Sequence, residues 1–331
     1  MGDNNSCKKH FVLVHGACHG AWSWYKVKPL LEAAGHHVTP LDMTASGINL
    51  KRIDEIQTIG EYTEPLIQFL TALPNDQKVI LVGHSLGGLN IAVAMEMFPQ
   101  KIEIGVFVTA FMPDHVHTPS FIFDQFVASM PDGGKDYWLD TKFENSGDPK
   151  ETLTTMFFGP QFMSMLYHLS PLQDLELAMT LKRPSSLFLH EAWKPEAKLS
   201  KERYGSVRSA FVVCEEDQGI SQTFQRWMIS NNGVKEDLEL GMTLKRPSSM
   251  FVHDTSKPEA KLSKERYGTV KSVFVICEED QGISQAFQQW MTENNGLKEV
   301  KKLKGSDHMP MLCMPKQLSI CLLEIAHTFQ E

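Results

Sequence analysis

The chain has 331 residues, 42% of them hydrophobic and 22% charged, the balance of a globular protein with enough length for one large core. A formal net charge of −8 and a pI near 5.9 argue against nucleic acid or an anionic membrane as partner. No apolar run reaches the roughly 18 residues of a membrane span. Residues 1–10 also lack the apolar stretch of a secretion signal, and the six cysteines show no metal-type pairing, so the expectation is a reduced, cytoplasmic protein.

From the N-terminus, His10 to His15 reads as a buried strand, left by the loop Gly16-Ala17-Cys18-His19-Gly20. Ala21 to Ala34 has helical apolar spacing and is closed by Gly35. A strand at His37–Asp42, a largely irregular stretch and a helix at Gly60–Leu73 follow. Lys78 to Gly83 is an unbroken run of Val, Ile and Leu, as a strand covered on both faces requires. Leu89, Ala92, Val93, Met95 and Phe98 then recur at helical spacing. Between strand and helix lies Gly83-His84-Ser85-Leu86-Gly87. A strand that turns into a helix within two residues strains its turning residue, and glycines on either side remove the Cβ atoms that would collide. The pattern with these flanks marks Ser85 as a nucleophile. Another buried strand covers 103–110. Alternating strands and helices predict an α/β architecture, a mostly parallel sheet flanked by helices.

The rhythm breaks at Pro113. Residues 113–200 carry aromatics, methionines and prolines in short helical patches without a strand pattern. They are expected to form a helical lid inserted after the 103–110 strand, within a single domain spanning 1–331. Residues 175–237 recur at 238–300 with an offset of 63, and 47 of the 63 positions are identical. Two copies are too few for a solenoid, so the tandem repeat reads as a duplication. Each copy carries one strand, Ser209–Cys214 or Ser272–Cys277, ending in Glu-Glu-Asp-Gln-Gly. A short strand at 299–304, the loop Gly305 to Pro310 and a helix near 315–329 complete the chain.

A serine hydroxyl needs a base within hydrogen-bond reach and a third group to orient that base. In the order Ser, acid, His, the last loop supplies His308 as the base. Asp217 and Asp280 end equivalent strands and cannot both fill the acid position. The uninterrupted run from Asp280 through one helix and one strand to His308 favours Asp280, with Asp217 as the alternative. The backbone N–H groups of Leu86 and Ala17 are the expected donors to a developing oxyanion. No metal site and no cofactor are indicated.

The segments 10–22, 28–35, 83–88 and Asp307-His308-Met309-Pro310-Met311 together resemble the plant methylesterase family of α/β-hydrolases, whose branch includes a salicylic acid-binding esterase and hydroxynitrile lyases. The resemblance covers nearly the whole chain once one repeat copy is set aside. It implies an α/β-hydrolase fold and a carboxylic ester hydrolase without cofactor. The substrates it implies are methyl esters of small hydrophobic acids, of the kind methyl salicylate, methyl jasmonate and methyl indole-3-acetate represent. It also implies that Trp138, Met156 and Met309 line the acid pocket, whereas their residue types alone suggest core packing. A homodimer is compatible with this reading. One alternative is a hydroxynitrile lyase, whose members carry Thr or Asn in place of Gly16 and in some cases Lys in place of Met309. The other is a non-catalytic protein that binds a small acid, if the extra 63 residues disable the triad.

Overall fold

The most apolar runs of the sequence lie side by side at the middle of one sheet. In the computed structural model, which describes residues 8–130, 136–145, 153–192, 194–214, 216–232, 273–275, 299–303 and 305–328, these are β3 (Val79–His84) and β4 (Ile102–Val108). Every residue of β3 is buried, and all but one of β4. On one side of β3 lie β1 (His10–Val14) and then β2 (His37–Leu41). On the other side of β4 lies β8 (Ser209–Cys214), followed by β9 (Val273–Val275) and β10 (Glu299–Leu303). All neighbours in this seven-stranded sheet are parallel. The chain runs outward from β1 to β2 and then returns to β3 on the far side of β1. Loops leaving the C-terminal ends of β1 and β3 therefore diverge, opening the crevice in which α/β sheets hold their ligands.

Helices flank the sheet. Among them α1 (Val27–Ala33) packs on the final helix, α7 (Pro315–Thr328), and α2 (Ile59–Ala72) packs on α3 (Gly87–Met97). None of the described helices is long and apolar enough to cross a membrane. The expected helix over 21–34 is instead a 3-10 turn at Ala21–Trp24 followed by α1. Pro29 explains the break, because in a continuous helix it would lack the bond to the Tyr25 carbonyl and collide with it. In its first turn of α1 the missing N–H costs nothing.

Between β4 and β8 the chain builds α4 (Ser120–Ala128), α5 (Pro160–Leu166) and α6 (Leu172–Leu181). It also builds a small antiparallel sheet of β5 (Lys142–Glu144), β6 (Thr155–Phe157) and β7 (Ser185–Ser186), which the sequence did not announce. Strands of two or three residues are too short to display alternation.

The duplicated strands pair with each other in copy register, Phe211 beside Phe274 and Val212 beside Val275. Strand β9 is a wedge rather than a full layer. It separates β8 from β10 along one stretch, where Glu299–Lys301 face it. Beyond that, Lys302 and Leu303 pair directly with Val213 and Cys214.

Gly87 tests how tightly the β3–α3 turn is held against β1. A Cβ there would lie 2.6 Å from the His15 carbonyl oxygen and 2.8 Å from that of Val14, so Gly87→Ala should lose ~1–3 kcal/mol in urea unfolding. At Gly60 the nearest atom would be 3.7 Å away, and Gly60→Ala should be neutral or gain up to ~1 kcal/mol.

Candidate active site

Ser85 sits where β3 ends and α3 begins, with φ at 52°, a left-handed conformation that a non-glycine residue adopts only when its surroundings impose it. The surroundings are visible. Its carbonyl accepts the N–H groups of Gly88 and Phe111 at 3.1 and 3.0 Å. A Cβ on Gly83 would lie 2.7 Å from the Gly87 carbonyl oxygen. Across the crevice the loop after β1 presses on the serine, for a Cβ on Gly16 would lie 2.8 Å from Ser85 Cβ.

The expected base lies on the loop after β10. His308 is buried, and its Nδ1 bonds to Oδ2 of Asp217, on the loop after β8. Asp217 Oδ2 also accepts the Thr109 hydroxyl. Asp217 Oδ1 accepts the N–H groups of Gly219 at 2.7 Å and Ile220 at 3.0 Å. A carboxylate with both oxygens so occupied has one orientation, and it orients the imidazole in turn. Nε2 is the ring nitrogen that remains for proton transfer. The two loops are also joined by their backbones, Glu216 N–H donating to the Ser306 carbonyl at 3.0 Å.

The acid favoured by the sequence, Asp280, lies outside the described residues, and the aspartate that meets His308 is Asp217 of the first copy. The reason is topological. Strand β8 is the copy that pairs with β4, and β10 closes onto β8 at the end where both loops emerge.

Ser85 and His308 share a cavity of about 30 Å³ with Ala17 and Leu86, the two expected oxyanion donors. Trp138 and Met156 form part of its wall with Phe158 and Phe162, so the cavity is mostly apolar. Met309 departs from expectation. It is fully buried in the hydrophobic core and does not line the cavity. Its N–H, bonded to Asp307 Oδ1 at 2.9 Å, starts the helical turn Pro310–Cys313.

Several further residues support the site through contacts that their place in the sequence does not specify. Thr109 follows β4 and donates its hydroxyl to Asp217. Asp307 is fully buried and accepts Leu169 N–H at 2.8 Å and the Ser170 hydroxyl at 2.9 Å, fastening the base loop to the segment between α5 and α6. His84 donates from Nε2 to the His308 carbonyl at 2.9 Å. Burial, and then the neighbouring His308, hold its pKa well below the usual value, so it stays neutral and structural. His19 donates from Nδ1 to the Ala17 carbonyl and accepts the Tyr167 hydroxyl at Nε2, both at 2.7 Å.

With this geometry in view, similarity to known proteins becomes specific. Residues 11–241 match the model of the alpha/beta hydrolase family, and the chain belongs to that family. It is 44% identical over 322 residues to salicylic acid-binding protein 2 of Nicotiana tabacum, covering 97% of this chain and 98% of that one. It is 55% identical over 238 residues to methylesterase 2 of Arabidopsis thaliana, covering 71% and 89%. The crystal structure of polyneuridine aldehyde esterase superposes with a TM-score of 0.73 at 37% identity, over 96% of this chain and 99% of that one. Fold, family and relatives together make this protein a carboxylic ester hydrolase of the plant methylesterase group.

The buried histidines set an acid limit on stability. Burial lowers the His19 pKa from the ordinary 6.5 to about 4, so below pH 6.5 the unfolded chain takes up the proton first. Stability is then full above that pH and is lost as pH falls towards 4, by about 3 kcal/mol for His19 alone. Urea midpoints between pH 7 and 4 should fall accordingly, and His19→Gln should flatten the slope by up to ~1.4 kcal/mol per pH unit.

Proposed function

We propose that the protein hydrolyses methyl esters of small hydrophobic acids, of the plant-hormone type, through an acyl-enzyme on Ser85. The observation that carries this reading is the Asp217–His308 pair, which opens onto the same apolar cavity as the strained Ser85. His308 Nε2 takes the Ser85 proton as Oγ attacks the ester carbonyl carbon. The oxyanion forms against the N–H groups of Ala17 and Leu86, the latter at the positive end of α3. The intermediate collapses by expelling methoxide, which His308 protonates to methanol. Water then attacks the acyl-enzyme by the same route in reverse, releasing the acid and restoring Ser85. Asp217 keeps Nδ1 protonated and stabilises the imidazolium of each step.

A cavity of about 30 Å³ holds only one or two water molecules, so a methyl ester enters by parting the walls. Segment 113–200, which contributes Trp138, Met156 and Phe162, acts as the lid in this reading. The lyase alternative calls for a hydroxyl or amide at the position of Gly16 and, in some members, a lysine at that of Met309. Gly16 supplies neither group, and no lysine stands among the described cavity residues. The intact Asp217–His308 contact favours turnover over simple retention of an acid.

The test is a panel of methyl esters with product-acid binding measured in parallel, run on wild type and three variants. Ser85→Ala should lose at least ~10³-fold in kcat/KM, and Asp217→Asn roughly 10³–10⁴-fold. Asp280→Asn should match wild type. A silent Asp217 with an inactive Asp280→Asn variant would move the acid to the second copy.

A further inference from the structure

His15 follows β1 and is buried beneath the Gly16–Ala17 loop without lining the cavity. Both of its ring nitrogens are committed. Met43 N–H donates to Nε2 at 3.1 Å, so Nε2 carries no proton and the neutral ring is protonated on Nδ1. Nδ1 lies 2.9 Å from the Gly16 carbonyl oxygen and donates to it. The same oxygen receives a second, longer bond from His19 N–H at 3.3 Å. Burial favours the neutral ring by lowering its pKa.

The Gly16 carbonyl and the Ala17 N–H belong to one peptide unit, which is planar and trans, so the two groups point in opposite directions. Holding the oxygen on the far side therefore fixes the line along which the N–H points. This matters because Gly16 packs directly on Ser85, with no room between them for even a methyl group. An oxyanion donor gains its effect from being aimed in advance, with no reorganisation during the reaction.

We infer that His15, held in a single tautomer by Met43, is a positioning residue that aims the Ala17 N–H at the oxyanion formed on attack by Ser85. The inference rests on the acyl-enzyme reading above. It assigns His15 no contact with substrate and no proton transfer, so its effect belongs in kcat and not in binding.

Two isosteric variants separate this role from general support of the loop. In His15→Asn the side-chain amide sits near the Nδ1 position and can still donate to the Gly16 carbonyl. In His15→Gln the amide reaches the Nε2 position and can still accept from Met43, but no side chain donates to the Gly16 carbonyl, which keeps only the longer bond from His19 N–H. On p-nitrophenyl acetate, His15→Gln should lose roughly 10²-fold in kcat, the scale of one oxyanion donor, with KM within about twofold and thermal stability near wild type. His15→Asn should recover most of that kcat even where it melts earlier. If instead both variants keep wild-type kcat, or if kcat follows melting temperature with His15→Gln the better enzyme, His15 only supports the loop. Ser85→Ala run beside them separates the two levels. Turnover that survives Ser85→Ala overturns the acyl-enzyme reading and this inference with it, whereas Ser85-dependent turnover with unaffected His15 variants overturns this inference alone.

Discussion

The contact between Asp217 and His308 depends on two loops, after β8 and after β10, leaving the sheet side by side. Residues 91 positions apart meet there, so local sequence preference cannot place them, and strand order must. A complete extra strand would push the loops apart by about 5 Å, the spacing of one strand in a sheet, beyond reach of a hydrogen bond. At Lys302 and Leu303, β10 instead pairs directly with Val213 and Cys214 of β8, which keeps the two loops adjacent. Residues 273–275 of the second copy pair with Glu299–Lys301, and β10 returns to β8 at Lys302 and Leu303, the end nearer the Asp217–His308 contact.

Around that contact the polar groups form a chain of single-purpose bonds. Thr109 and two backbone N–H groups hold Asp217, Asp217 holds His308, and His84 holds the His308 carbonyl. Asp307 extends the chain outward to Leu169 and Ser170, so the base and the cavity's outer wall share one anchor. Such groups are costly to bury unless each is satisfied. The same arrangement fixes the tautomers: His15 donates from Nδ1 because a backbone N–H occupies its Nε2. Histidines kept neutral by burial also leave His308 without a permanent positive charge beside it.

The parts legible in the sequence were those whose cause is local. Gly83 and Gly87 are demanded by a turn within five residues, and the strand and helix beside them have unbroken apolar periodicity. His308 was legible from its place between the last strand and the last helix. The break at Tyr25 was also present in the sequence, in Pro29, but apolar spacing outweighed it. Asp217 was not legible as the preferred acid, because two identical Glu-Glu-Asp-Gln-Gly segments differ only in which strand lies beside β4. Chain proximity pointed to Asp280, whereas pairing with β4 brings Asp217 to His308. Met309 failed for a related reason: neighbouring His308 in sequence does not make it neighbour the cavity, because the backbone turns into the core between them.

The duplicated segment bears on how such a chain keeps one structure. Two strand segments that share four of six residues, and differ otherwise only by small apolar exchanges, compete for the position beside β4, and intrinsic β preference scarcely separates them. What differs is what each is attached to. The first copy is continuous with β7, which pairs with β6, and with Arg183, whose guanidinium donates to the carbonyls of Gly47 at 3.1 Å and Lys51 at 2.7 Å. Placing the second copy beside β4 would require those bonds to be broken or remade with the equivalent Arg246, and a much longer connection from the same 113–200 segment. Closing a longer loop adds an entropic cost that grows only as the logarithm of its length. The preference for the first copy therefore rests on the contacts that precede the strand, and the strand itself is the passive partner.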